Sequence, residues 1–165
     1  MRRVGDHLAG LAAAFAAMAL MRRFLVSKFR ADVRALNQGD YGPLLAGYAD
    51  GAVLRFNEGP HRFAGEKRGR DEIEVFLRNF TEAGLQGEVV EVWTNGPPWK
   101  LRIVARFKDR ACGRDGEEIY SNEVMLCLRT RWGKIVEHED FYVDTARLEQ
   151  FEQRLTELGI DPVTG

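Results

Sequence analysis

The residues best suited to chemistry lie near the C-terminus, in Ile135-Val136-Glu137-His138-Glu139-Asp140-Phe141-Tyr142-Val143. Read as a strand, period two puts Val136, His138, Asp140 and Tyr142 on one face and Ile135, Glu137, Glu139 and Phe141 on the other. A histidine and a carboxylate then stand together among apolar neighbours. Burial raises an aspartate's pKa and a cationic neighbour lowers it, which is how proton-transfer groups are tuned. Arg106, in Ala105-Arg106-Phe107-Lys108, is the expected cation. Asp140, His138 and Arg106 therefore read in one of two ways: as an acid/base site, or as an Asp140–Arg106 ion pair with His138 packed beside it. Tyr120 and Asn122 share a strand face with Val124 and Leu126. They either offer a hydroxyl and an amide to a ligand or satisfy buried backbone groups.

Other chemistries find little support. His138 and Asp140 are two metal ligands on one strand without a third, and Cys112 and Cys127 form no CxxC, so no metal site is expected. Two cysteines without a framework suit a reducing cytoplasm. There is no glycine-rich phosphate loop, and no cofactor is expected. The formal net charge is −1, and no basic stripe accompanies Trp93, Trp99 and Trp132, so nucleic acid is not an expected partner.

The elements that must position these residues follow from periodicity. Phe24 to Leu36 has helical spacing and stops at Asn37-Gln38-Gly39-Asp40. A short helix spans 41–48, and Ala52 to Asn57 reads as a strand. Arg62-Phe63-Ala64 reads as a second short strand, and His61 as a solvated loop residue. Gly69-Arg70-Asp71 opens a helix with Ile73, Phe76, Leu77 and Phe80 as its inner stripe. Four longer strands follow: 87–94, 100–108, 118–129 and 135–143, with 109–116 a polar loop. Leu101, Ile103, Ala105 and Phe107 face one way in the second of these. Asp144-Thr145 caps a closing helix with Leu148, Phe151 and Leu155 inward. Helices first and a long antiparallel run after is an α+β plan. With 165 residues, 45% of them hydrophobic, the chain can bury one core over residues 24–158.

Residues 1–23 admit three readings. A basic start, a short apolar run and Ala17-Met18-Ala19 are similar to a secretory signal. The run is short for a membrane span, although residues 8–21 are long enough to touch a membrane surface. The stripe Leu8, Leu11, Phe15, Met18, Leu25, Phe29 and Leu36 instead describes a helical extension running into the domain, free to pack on a partner. The last is preferred, with the protein placed in the cytoplasm; a membrane-associated or exported protein is the alternative.

Ala35-Leu36-Asn37-Gln38-Gly39-Asp40-Tyr41 and Tyr48-Ala49-Asp50-Gly51-Ala52-Val53 resemble the opening of the nuclear transport factor two-like superfamily, in its SnoaL-like, polyketide cyclase-like branch. Phe63-Ala64-Gly65 with Gly69-Arg70-Asp71-Glu72-Ile73, and the run from Gly133 to Thr145, extend the resemblance over residues 24 to 155. It implies a cone of curved antiparallel sheet packed on N-terminal helices, an apolar pocket for a small hydrophobic ligand, and a homodimer. Ketosteroid isomerase, of the same superfamily, keeps its general base at the position of Phe56, which accepts no proton, so that reaction is excluded here. Phe56 becomes a pocket-lining expectation with Tyr120, Asn122, Val124 and Tyr142. Limonene epoxide hydrolase is similar at Asp140 and Arg106, but its partner aspartate falls at Lys108, leaving no donor for a departing oxygen. Two functions follow: cofactor-independent acid/base catalysis of cyclase, isomerase or hydratase type, or a non-catalytic dimerising module that binds a ligand or a protein.

Overall fold

A computed structural model describes residues 2–113 and 116–164, with side chains described from residue 12 onward. Helix α1, Arg2–Leu36, runs unbroken for 35 residues. Gly39, at φ 86°, ends it in the left-handed conformation that closes many helices. Phe29, Val33 and Leu36 are buried on its inner face. Phe29 meets Phe107 edge to face, ring centroids 5.9 Å apart. The earlier turns leave Phe15, Leu20, Met21 and Phe24 exposed. Leu8 and Leu11 lie outside the residues whose side chains are described. Among the described residues no helix is long and apolar enough to cross a membrane.

A short helix α2, Gly42–Gly47, leads into strand β1, Tyr48–Phe56, and β2, Gly65–Arg68. Helix α3, Gly69–Glu82, buries Ile73, Phe76, Leu77 and Phe80, as the spacing predicts. Strands β3, Leu85–Asn95, β4, Arg102–Cys112, β5, Glu118–Arg131, and β6, Lys134–Tyr142, follow, and helix α4, Thr145–Glu157, closes the chain. The β5–β6 turn holds Trp132 at φ 51° and Gly133 at φ 78°, the pair of positive angles that matches strand twist in a tight hairpin.

One sheet of six strands results, in the order β2-β1-β6-β5-β4-β3. It is mixed rather than all antiparallel: β1 pairs parallel with β6, placing Leu54 beside His138. The returning last strand thus sits between the opening hairpin and the meander, and helices α1 to α3 cover the concave face. Two further departures bear on the site. Strand β4 runs on to Cys112, through residues expected as loop. A bulge at Val136 on β6, opposite Arg129 and Thr130, breaks the alternation, so Ile135 rather than Val136 turns inward.

The loop before β2 is tied to α4 and the tail. The Arg62 side chain is 1% exposed and pairs with Glu152, Nε to Oε2 2.9 Å. Arg62 Nη2 also donates to Ile160 O at 2.7 Å. Burial pushes the Glu152 carboxyl up, but the bonds from Arg62 outweigh it and hold the pKa below the ordinary value. His61 is buried beside Phe56 and Phe63 rather than solvated. Arg62→Ala leaves Glu152 and two tail carbonyl groups without this partner. We expect a loss of about 3 kcal/mol in urea unfolding, the scale of a broken buried pair; a loss near zero would show that the clamp contributes nothing.

Candidate functional site

Beneath α1 and α3 the concave sheet face encloses an apolar cavity of about 60 Å³, walled by Phe29, Phe76, Phe80, Phe107, Leu126 and Leu128 among others. One water needs roughly 10–15 Å³ by this kind of measure, so a few fit. A larger ligand must displace apolar side chains. The polar groups on its wall are Asn37, Tyr48, Asp109, His138, Asp140 and Tyr142.

Strand β6 supplies the centre. His138 and Asp140 alternate on its inner face, and both are more than nine-tenths buried. His138 Nε2 lies 2.8 Å from Asp140 Oδ1, and His138 Nδ1 lies 2.5 Å from the Tyr48 hydroxyl. Tyr48 is 1% exposed; burial, and then the charge of Asp140, push its pKa well above 10. It therefore keeps its proton, so the hydroxyl is available as a donor to Nδ1 while Nε2 faces the Asp140 carboxyl. The parallel β1–β6 pairing makes this possible, because Tyr48 opens β1 opposite Ile135.

A second carboxyl faces the same cavity. Asp109 lies inside on β4, continuing the alternation of Ile103, Ala105 and Phe107. It is hydrogen-bonded to the Tyr142 hydroxyl. Burial raises its pKa to about 7, the Tyr142 bond opposes the rise, and the charge of Asp140 adds to it. Burial and the charges of Asp109 and Asp140 push Tyr142 well above its ordinary value in turn. Tyr142 packs on Phe56, ring centroids 4.9 Å apart.

Several expected participants stand elsewhere. Arg106 occupies the outer sheet face and pairs with Glu123, Nε to Oε2 3.2 Å, so it does not join Asp140 in a salt bridge. The alternation that turns Phe107 inward turns Arg106 outward. Tyr120 stacks on Phe151 of α4 at 4.4 Å. Asn122 Nδ2 donates to Asp144 O at 2.7 Å, so both residues serve the α4 junction rather than the cavity. Phe56 is core, packed among Phe63, Phe76 and Tyr142. Val124 and Tyr142 line the cavity, and Val136 does not. Among the described residues no group of three or more histidine, cysteine or acidic side chains is arranged to hold a metal ion.

The fold is that of a known family. Residues 26–138 match the SnoaL-like domain, and the chain belongs to that family. No curated protein matches it. Solved structures share the fold at low identity. Bal32a from a soil-derived mobile gene cassette is 19% identical with a TM-score of 0.65, covering 78% of this chain and 95% of its own. TerC, co-crystallized with polyporic acid, is 19% identical with a TM-score of 0.65, covering 78% and 98%. A nuclear transport factor 2-like protein of unknown function from Burkholderia pseudomallei is 21% identical with a TM-score of 0.63, covering 78% and 96%.

The state of Asp109 is testable through stability. Its native pKa, about 7, lies above the unfolded value of 3.8, so the native state binds the proton more strongly. That contribution is present below about pH 4 and lost as pH rises to about 7, with a slope of up to roughly 1.4 kcal/mol per pH unit. Asp109→Asn removes the titrating group. Urea unfolding from pH 4 to 8 should show the variant gaining steadily on the wild type as pH rises; parallel profiles would mean that Asp109 ionises normally.

Proposed function

We propose that the cavity binds a small, mostly apolar molecule and moves a proton on it without a cofactor, in a reaction of cyclase, isomerase or hydratase type. The observation that carries this is the chain Tyr48–His138–Asp140 in an apolar cavity, with a second carboxyl, Asp109, titrating near neutrality. The two carboxyl groups have different partners and divide the labour. Asp140 accepts the proton while its bond to His138 Nε2 holds it in place. Asp109, half protonated near neutral pH and bonded to Tyr142, donates to the oxygen that becomes basic. Groups held in different environments at one site are how acid and base roles are set at a single pH. Asp109 supplies the donor that the motif at Arg106 and Lys108 lacks. TerC, which shares the fold, was crystallised with a small molecule, and this supports a ligand-binding cavity here.

Apolar ketones from cyclohexanone to 2-tetralone, incubated in D₂O, test the reading through deuterium uptake at the carbon beside the carbonyl. Wild-type protein should accelerate exchange for at least one of them. Asp140→Asn should reduce that rate by about 10²-fold or more, the usual scale for a lost general base. Exchange at the wild-type rate would remove Asp140 as the proton carrier.

A homodimer through the outer sheet face accompanies this function. Trp93 and Phe141 are exposed there, with Val104, Met125 and Cys127 half-buried on strands between them. Such a cluster is association-prone in water. Wild type should sediment as a dimer at micromolar concentration, and Trp93→Lys with Phe141→Lys as a monomer; a dimer that survives both changes uses another face.

A further inference from the structure

Part of the cavity wall lies where the end of α1 meets the edge strand β3. Asn37 and Gly87 clasp each other there. Asn37 Nδ2 donates to Gly87 O at 2.8 Å, and Gly87 N donates back to Asn37 Oδ1 at 2.9 Å. These two residues and Val33 line the apolar cavity on one side and an outer cleft of about 300 Å³ on the other. The strand carries no side chain at this point. A Cβ on Gly87 would stand 3.2 Å from both Asp109 Oδ1 and Phe107 Cδ1, pressing on the cavity wall.

The cleft is basic although the protein as a whole is not. Arg30 and Arg34 lie one turn apart on α1, and Arg110 comes from the end of β4. Its one carboxylate, Glu88, stands directly across the ladder from Lys108, so three arginines against one glutamate leave a formal excess of two positive charges. Arg30 Nη1 donates to Val89 O at 3.1 Å, which fixes that guanidinium at the rim. Arg34 and Arg110 are exposed. Arginines converging beside the wall of an apolar cavity match a ligand with two ends, because a guanidinium fork suits the paired oxygens of an acid group.

We propose that this cleft is an anion subsite at the cavity mouth and that the ligand class is an amphiphilic acid. Its acid group lies on Arg30, Arg34 and Arg110, and its apolar body lies in the cavity behind the Asn37–Gly87 clasp. The proposal rests on the cavity being the ligand site. It goes further in naming which end of the ligand stays outside: the charged one, held away from Asp140 and Asp109.

Octanoate and octan-1-ol share an apolar chain and differ in charge, and a single measurement separates the two ideas. Both are titrated into labelled protein at pH 7 and low salt, reading the NMR methyl signals of Val33, Leu126 and Leu128. Octanoate should bind roughly 5-fold or more tightly than octan-1-ol, a preference that 0.5 M salt diminishes. Arg30→Gln with Arg34→Gln and Arg110→Gln should abolish the preference and leave octan-1-ol affinity unchanged. Arg34→Gln with Arg110→Gln, both at exposed positions, should reduce it and guards against a fold effect from losing the Arg30 bond. Equal affinities in the wild type, or a preference that survives the triple variant, overturn the anion subsite while the cavity reading stands. If octan-1-ol shifts none of those methyl signals, the cavity reading fails and the subsite fails with it.

Discussion

Two carboxyl groups in one apolar cavity set the terms for everything around them. An ionised carboxylate out of water is costly unless it is bonded, and two facing the same cavity repel each other as well. The chain meets this with two aromatic hydroxyls and one imidazole. Asp140 is bonded to His138, whose other ring nitrogen is held by Tyr48, and Asp109 is bonded to Tyr142 and keeps its proton to a higher pH. Each supporting group needs support of its own. Tyr142 leans on Phe56, which stands on Phe63 and Phe76, and Tyr48 depends on β1 lying parallel to β6. The aromatic core and the mixed sheet are the scaffold that makes the polar arrangement affordable.

Much of this was legible in the residue pattern, and the failures have local causes. The stripe of α3, the hairpin at Trp132-Gly133 and the inward turn of His138, Asp140 and Tyr142 all follow from period and turn chemistry. Val136 breaks the alternation because a bulge inserts one residue, which period two does not anticipate. Asp109 was hidden by its neighbourhood: a polar stretch reads as a loop, although Leu101, Ile103, Ala105 and Phe107 already point to 109 as the next inward position. The same alternation excludes Arg106 from the cavity. Tyr48 carries no local signal, since its partner lies 90 residues away and joins it through a parallel pairing. Tyr120 and Asn122 share a face with Val124 but sit further toward the end of the sheet that α4 covers, where the same face meets a helix instead of the cavity.

Family membership and fold likeness account for different parts of the chain. The SnoaL-like match begins at residue 26, and the structures described cover 78% of the chain. The first turns of α1 lie before that match, yet they belong to the same unbroken helix that carries Phe29 and Val33 to the cavity wall. A helix is stiff over such a length, so a contact made at its exposed Phe15, Leu20, Met21 or Phe24 would bear on the cavity wall as well.

The parallel join between β1 and β6 also governs the order in which the molecule can be made. Hairpins form from neighbouring residues, but Leu54 cannot meet His138 until more than eighty intervening residues have been ordered or at least gathered in. Such non-local pairings come at a cost in folding speed. On the ribosome, β1 emerges long before β6, so its inner edge waits unpaired beside β2 while the meander is still being synthesised. Ile135, His138, Asp140 and Tyr142 all belong to β6, so this last strand brings a stretch of cavity wall and the histidine together.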